Sequence, residues 1–329
     1  MTSLPAQSAS GETDDPVVPD ADSDAGERQR RPTLRSDLRA SVPDGVIALV
    51  VTAAVFALLY YRIRAKTSST VSVMPFMADT REFWTYILSQ AFGWSALLWA
   101  WITVVLGLLL SGPRPSWLRL SGRRVERLHR TTSLNTIALI AAHALLFAAQ
   151  LIRSDSARWY SALATAFVET FVPGGYDSGT GKLAIPLGQA ALYLAIPLGL
   201  LFYIRHRIGP KTWRVLHRFV IAVYILSVWH TLLYGTNVWY DGWFRTAVWL
   251  LQLPIAALLL LRLMQPARRS ETLRGPRAHT GSRIGWVLRL GGRLAVVGVI
   301  VALIGVMVSG NDGGRTVPPA DTSSSHNHD

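Results

Sequence analysis

The chain alternates between long apolar runs and short polar connections that are rich in arginine. Each run supplies about the twenty apolar residues that an α-helix needs to cross a bilayer core. The runs lie at about residues 45–61, 84–110, 125–151, 184–204, 213–235, 244–264 and 285–309. We therefore predict an all-α, polytopic membrane helix bundle, in which six spans form a core and one C-terminal span follows it.

Charge and cysteine content narrow the class of protein. The 329 residues are 50% hydrophobic and carry a formal net charge of +13. On a soluble protein this excess would suggest nucleic acid, but here the basic residues cluster at the ends of the apolar runs. We therefore expect membrane lipid as a partner and no nucleic acid. Because there is no cysteine, disulfides, cysteine-ligated iron–sulfur clusters and thiolate-ligated haem are excluded.

The basic residues are also divided unequally between alternate connections. The N-terminal tail and every second connection hold 23 of them, whereas the intervening segments hold nine. Because positively charged connections stay in the cytoplasm, this division predicts a multi-pass protein of the cell membrane with its N-terminus inside and its C-terminus outside. Trp239, Tyr240 and Trp243 then lie at the outer interface, where aromatic residues are enriched.

Composition divides the chain into five segments. They are a disordered cytoplasmic tail, a six-span core, a basic cytoplasmic linker, a seventh transmembrane helix and a short outside tail, at residues 1–42, 43–264, 265–284, 285–309 and 310–329. The first segment is too poor in large apolar residues to offset its conformational entropy by burial. We do not predict a signal peptide, because the first apolar run begins near Gly45. The last segment contains His326 and His328 close to its end, in a short tail that could bind a metal ion.

A near-repeat in the third and fifth runs carries the most chemical information. Each copy opens with Leu-His-Arg and continues to a second histidine, giving His129 and His143 at a spacing of fourteen, and His217 and His230 at thirteen. Ionisable side chains at membrane depth are costly and therefore mark candidate functional sites. Imidazole is a ligand of haem iron, and two facing helices with two histidines each can hold two bis-histidine haems. The alternatives are hydrogen-bonded core histidines, or proton relays in a non-redox transporter or scaffold, although relays usually also employ mid-span carboxylates.

Topology places the histidines at two depths. Both runs cross from inside to outside, so His129 and His217 lie near the cytoplasmic face, and His143 and His230 lie about 20 Å further along their helices. Fourteen residues of α-helix return the second histidine to within about 40° of the first, but thirteen leave it about 140° away. The fifth span must therefore tilt, overwind locally, or reach its two haems from different flanks.

The histidine pairs, together with Gly107-Leu108-Leu109 before a basic connection, resemble the ferric-reductase-like transmembrane family over about residues 84–264. That family includes ferric reductases, NADPH oxidases and the haem-binding membrane subunit of bacterial methionine sulfoxide repair. The resemblance implies two b-type haems. It also implies that the ligands pair by depth, His129 with His217 on the inner iron and His143 with His230 on the outer iron.

Four further residues or segments are weaker candidates. Arg130 and Arg218 follow the inner histidines and could bind haem propionates, or could simply anchor the cytoplasmic ends of their helices. Tyr224 lies between the two haem levels, where it either bridges the haems or packs. The connection 153–182 either caps the outer haem or is a solvated loop.

The expected activity is transmembrane electron transfer. The chain contains no GxGxxG turn after a strand, so we expect a separate electron donor, either a flavoprotein reductase or a quinol. The family resemblance favours ferric iron as the acceptor outside the cytoplasm. The alternatives are a haem subunit that feeds a separate reductase such as methionine sulfoxide reductase, a superoxide-forming oxidase, and the non-redox transporter or scaffold.

Overall fold

The computed structural model describes residues 33–112, 121–155, 158–264, 283–309 and 313–316. Within these ranges the regular structure is helical, apart from one isolated bridge between Tyr240 and Arg315. The predicted all-α class is therefore confirmed. The α-helices are α1 Leu34–Ala40, α2 Val42–Arg64, α3 Ser69–Val73, α4 Trp84–Ser111, α5 Gly122–Ser154, α6 Trp159–Phe171, α7 Gly181–Leu200, α8 Arg205–Ile208, α9 Pro210–His217, α10 Val220–Tyr234, α11 Trp243–Leu250, α12 Gln252–Met264 and α13 Arg283–Ser309.

Six helical stretches within the described residues are long and apolar enough to cross a membrane. They are α2, α4, α5, α7, α9 continued by α10, and α11 continued by α12. These stretches coincide with the first six predicted spans, so the chain is a multi-pass membrane protein. The seventh predicted span is a continuous helix, α13, but its apolar part, Arg293–Ser309, is shorter than the other six. Its crossing of the membrane, and the outside position of the C-terminus, stay predictions.

The core is built from two helix pairs. Helices α4 and α5 pack against each other along most of their length, and α7 packs against α10. Helices α2 and α12 flank α4, while α5 also contacts α7 and so joins the two pairs. Buried alanines such as Ala96, Ala100, Ala191 and Ala195 let the helices approach closely, as is usual for membrane helices.

The N-terminal tail was predicted to be disordered as far as residue 42, and this is wrong for its last part. Helix α1 forms there, opened by a capping box between Thr33 and Ser36. Its Asp37 is only 4% exposed and accepts a hydrogen bond of 3.0 Å from the Tyr203 hydroxyl. These tertiary contacts, which composition does not report, stabilise the helix. Residues 1–32, the linker 265–282 and most of the C-terminal tail, with His326 and His328, lie outside the described residues.

Candidate functional site

The four predicted histidines meet as two pairs in the space between α5 and the α9–α10 span. The ring centroids of His129 and His217 are 5.9 Å apart, and those of His143 and His230 are 6.1 Å apart. We call these the inner pair and the outer pair, after the predicted orientation. The fold therefore brings together the residues that the resemblance pairs by depth.

The separation within each pair suits one metal ion between two imidazoles. A metal–imidazole bond is about 2 Å long and the ring centre lies about 1 Å behind the nitrogen, so two opposed ligands have centroids about 6 Å apart. Both observed distances are close to this value. The ring planes are steeply inclined to each other, at 89° and 72°, so the two rings of each pair do not stack.

Three of the four rings are oriented by a hydrogen bond to a helix backbone. In each case Nδ1 lies within hydrogen-bond distance of a main-chain carbonyl oxygen and donates its proton there. The bonds join His129 to Thr103 at 3.0 Å, His143 to Ser89 at 2.7 Å and His230 to Ala184 at 2.7 Å. A proton held on Nδ1 leaves the Nε2 lone pair available, which is the usual arrangement for a metal-bound histidine.

His217 is different. Its buried Nδ1 has no hydrogen-bond partner among the described residues. The ring instead stacks on Trp213, one helical turn earlier, with centroids 5.3 Å apart and planes inclined by 22°. Helix α9 ends at this residue. The inner pair therefore has one ring held by a carbonyl and one held by an aromatic face.

The thirteen-residue spacing is accommodated by an overwound turn between α9 and α10. Four backbone hydrogen bonds there run from residue i to i−3, and they are Arg218 to Val215, Phe219 to Leu216, Ile221 to Arg218 and Ala222 to Phe219. Such bonds are those of a 3₁₀-helix, which turns about 120° per residue and rises about 2.0 Å, against about 100° and 1.5 Å for an α-helix.

Full 3₁₀ geometry over residues 218–222 would add about 100° of rotation, which is enough to bring His230 to within about 40° of the face of His217. The same geometry would lengthen the thirteen-residue path to about 22 Å, close to the 21 Å that fourteen residues of α-helix span. Of the three possibilities that the sequence leaves open, local overwinding is the one the structure shows. With that geometry, the two histidines of α5 and the two of the α9–α10 span match in both angle and height.

A cavity surrounds the outer pair. Its empty volume, including the part that opens to the surroundings, is about 1130 Å³. Its walls are mainly apolar and aromatic, with Trp94, Phe147 and Leu192 beside the two histidines. A cavity with apolar walls and two convergent imidazoles is a suitable environment for a planar, largely apolar cofactor.

One end of this cavity is closed by uncharged polar side chains. Gln90 Nε2 donates to Thr236 Oγ1 at 2.9 Å, and Asn237 Nδ2 donates to Gln90 Oε1 at 3.2 Å. Thr70 from α3 shares a 2.7 Å hydrogen bond with Thr236. These contacts hold α3 against the 3₁₀-helix Thr236–Val238.

The connection 153–182 contributes to the same end of the molecule. Thr170, near the end of α6, lines the cavity, and its carbonyl accepts a hydrogen bond of 2.8 Å from Gln189 of α7. Tyr176 shares a 2.9 Å hydrogen bond with Tyr234. Between residues 158 and 182 the connection is thus folded onto the outer cavity.

Arg130 has protein partners of its own. Its Nε lies 3.0 Å from Asp37 Oδ2, and its Nη1 donates to Glu126 at 2.7 Å. The Nε–H group does not donate a hydrogen bond to that carboxylate, so the contact with Asp37 is an ion pair only. Burial, and then the hydrogen bond to Asp37, raises the pKa of the Tyr203 hydroxyl, which therefore remains a donor at neutral pH. Arg130 thus links α5 to the N-terminal helix beside the inner pair.

The remaining predicted residues lie apart from the cavity. Arg218 is exposed, at the overwound turn directly after His217. Tyr224 is buried against Ala100 and Leu108, and its hydroxyl donates to Gln252 at 2.8 Å. Tyr224 therefore packs α10 against α4 and joins it to α12 by one hydrogen bond.

Comparison with known proteins gives one match. Residues 92–228 match the family model described as "Ferric reductase like transmembrane component". The matched segment contains His129, His143 and His217 and ends two residues before His230. The resemblance inferred from the sequence is confirmed over this segment, which is shorter than the predicted 84–264. No curated protein and no solved structure matches the chain.

Proposed function

Because residues 92–228 form a ferric reductase-like transmembrane domain, we propose that this membrane protein transfers electrons across the bilayer through two b-type haems. His129 and His217 hold the inner iron, and His143 and His230 hold the outer iron. The observation that carries the proposal is the separation of about 6 Å in both pairs, with three of the four Nε2 atoms left free by a bond at Nδ1.

Bound haem supplies the one-electron chemistry, and the chain supplies position and environment. The carbonyls of Ser89, Thr103 and Ala184 keep the proton on Nδ1 and increase the basicity of the ligand nitrogen. The mainly apolar walls would surround the outer cofactor with a low-polarity environment. Arg130, with Asp37 alongside, and Arg218 place positive charge at the cytoplasmic end, where they can receive haem propionates.

The electron path that we propose begins in the cytoplasm. A flavoprotein reductase or a quinol would supply the electron, haems held by His129 with His217 and by His143 with His230 would provide the one-electron carriers, and an acceptor outside the cytoplasm would take the electron up. The acceptor favoured by the family description is ferric iron. The orientation rests on the unequal division of basic residues between alternate connections.

A reduced-minus-oxidised absorbance spectrum of the purified protein tests the proposal. We expect two b-type haems per chain, reducible by dithionite and not by NADPH alone. A variant with all four histidines changed to alanine should bind none. His206→Ala is the matched control, because His206 is exposed in α8 and should leave both haems in place.

Two results would contradict parts of this proposal. Haem-replete expression that yields protein without a Soret band would favour the non-redox transporter or scaffold. Direct, stoichiometric NADPH oxidation by the pure chain would contradict the separate donor. Reporters fused after residues 264 and 329 test the orientation, because a C-terminal span requires them to report opposite sides of the membrane.

A further inference from the structure

Three of the four histidine rings rest against a glycine on a neighbouring helix. A Cβ built on each glycine would lie 2.8 to 3.1 Å from the nearest ring atom, which is closer than an ordinary van der Waals contact. The contacts are Gly93 with His143, Gly107 with His129, and Gly188 with His230.

Each of these glycines follows, by four residues, the carbonyl that accepts the Nδ1 proton of the same histidine. The carbonyl–glycine pairs are Ser89 with Gly93, Thr103 with Gly107, and Ala184 with Gly188. Side chains on an α-helix lean towards its N-terminus and cover the preceding turn. A side chain at the glycine position would therefore cover the carbonyl, and glycine leaves it open to the imidazole.

Ordinary helix packing does not account for this pattern. Around Gly93, Gly107 and Gly188, the three atoms nearest to the added Cβ all belong to the histidine ring. Gly199, also on α7, instead meets the side chain of Ile137. Glycine weakens a helix relative to alanine, so its recurrence behind three ligand rings needs a specific reason.

We propose that Gly93, Gly107 and Gly188 are positioning residues for the haem ligands. Each lets an imidazole reach the carbonyl one helical turn earlier, which holds the proton on Nδ1 and directs Nε2 at the opposite histidine. The inference deepens the proposed function and rests on it. His217 is the one ligand without a carbonyl–glycine pair among the described residues.

Gly188→Ala is the most severe test, because its added Cβ would lie 2.8 Å from His230 Nδ1. Loss of an outer-sphere partner typically lowers metal-site affinity by about 10- to 100-fold, so we expect loss of most of the outer haem. The haem that remains should show an altered electron paramagnetic resonance signal, because His230 has lost its hydrogen bond to the Ala184 carbonyl. The inner haem of the same molecule is the internal control, since a general folding defect would remove both.

Gly93→Ala should resemble Gly188→Ala, whereas Gly107→Ala should affect the inner haem and spare the outer one. The Gly107 effect should be smaller, because the added Cβ would approach His129 Cε1 at 3.1 Å and Nδ1 only at 3.6 Å. Gly305→Ala, with nothing within 4 Å, is the matched control in α13 and should leave both haem signals unchanged.

Haem content separates the proposed function from the positioning role of the glycines. Wild-type protein that binds no haem would overturn the proposed function. Wild-type protein with two haems, and normal outer-haem content and signal in both Gly188→Ala and Gly93→Ala, would overturn the positioning role alone. Equal loss of both haems in Gly188→Ala and Gly107→Ala would also overturn it, because the glycines would then act on the whole bundle.

Discussion

The outer and inner histidine pairs have nearly the same separation but are held differently. In the outer pair, both Nδ1 atoms bind carbonyls at 2.7 Å, and both rings rest on glycines. In the inner pair, only His129 has this support, while His217 ends α9, stacks on Trp213 and leaves its Nδ1 unpaired among the described residues. Similar ring distances can therefore arise from one rigid and one more adaptable set of supports.

The difference follows from where the supporting helix ends. Helix α7 provides Ala184 and Gly188 for the outer ligand, but it stops at Leu200 and continues as turns over 201–204. At the inner level the chain offers Phe202, whose ring lies 6.0 Å from Trp213, in place of an open helix carbonyl. A ligand at the end of a helix has fewer ordered carbonyls within reach.

Removal of one axial histidine should have the largest effect on this comparison. His129→Ala and His217→Ala should each lose the inner haem, and His143→Ala and His230→Ala should each lose the outer haem, because each iron needs both imidazoles. All four variants should stop electron flow, since the two proposed haems would act in series. Haem content and midpoint potentials provide the measurement. If His129→Ala behaved like His143→Ala instead of His217→Ala, pairing by depth would be wrong.

Insertion of one alanine after Arg218 should come next in effect. One added residue turns His217 by about 100° relative to His230. The two histidines of the α9–α10 span then no longer match the two histidines of α5. Helix α10 keeps its contacts with α7, so the outer haem should remain while the inner one is lost. Haem quantification by pyridine haemochrome, with an alanine inserted in α13 as the control, checks this. Retention of both haems would show that overwinding is not what aligns the histidines.

Carbon monoxide should distinguish the two sites in the unmodified protein. Because His217 has no hydrogen bond to a backbone carbonyl among the described residues, it should be the most easily displaced ligand. Dithionite-reduced protein should therefore bind more carbon monoxide at the inner haem than at the outer haem. The measurement is a carbon monoxide difference spectrum. His129→Ala, which should lack the inner haem, should lose this spectrum, and its persistence there would place the reactive iron in the outer site.

The smallest expected effect concerns the charges beside the inner pair. Asp37→Asn removes a negative charge that faces Arg130, so reduction of the inner haem should become more favourable. Solvent screening limits the contribution of such an ion pair to about 1 kcal/mol or less. The midpoint potential of the inner haem should therefore rise by no more than about 40 mV. The outer potential should not change. Asp177→Asn, in an exposed pair with Lys182, is the control, and an equal shift there would remove the local explanation.

Much of this arrangement can be predicted from the sequence. Six apolar runs correspond to six membrane-length helices because burial in lipid requires internally satisfied backbone groups, whatever the packing. The four histidines stand out because imidazole is rare at membrane depth. The equal spacing of Gly93–Gly107 and His129–His143, at fourteen residues on two antiparallel helices, was a signal that sequence reasoning missed.

Other features depend on contacts that a single sequence does not report. Helix α1 forms in a tail of low hydrophobicity because Asp37 meets Arg130 and Tyr203, which are distant in the chain. The overwound turn also depends on the fold. Spacing alone permits tilt, overwinding or approach from different flanks, and only the packing of α10 against α7 selects among them.

The carbonyl bonds of the outer pair have a consequence for how a newly made chain matures. Both outer imidazoles already have their carbonyl partners in the folded chain, so haem entry there requires little reordering. The inner site must also settle His217 at the end of its helix, an ordering step that binding has to drive. We therefore expect the outer haem to be acquired first. Under haem limitation, cells should accumulate a one-haem form with an intact outer site that cannot yet accept electrons from the cytoplasm.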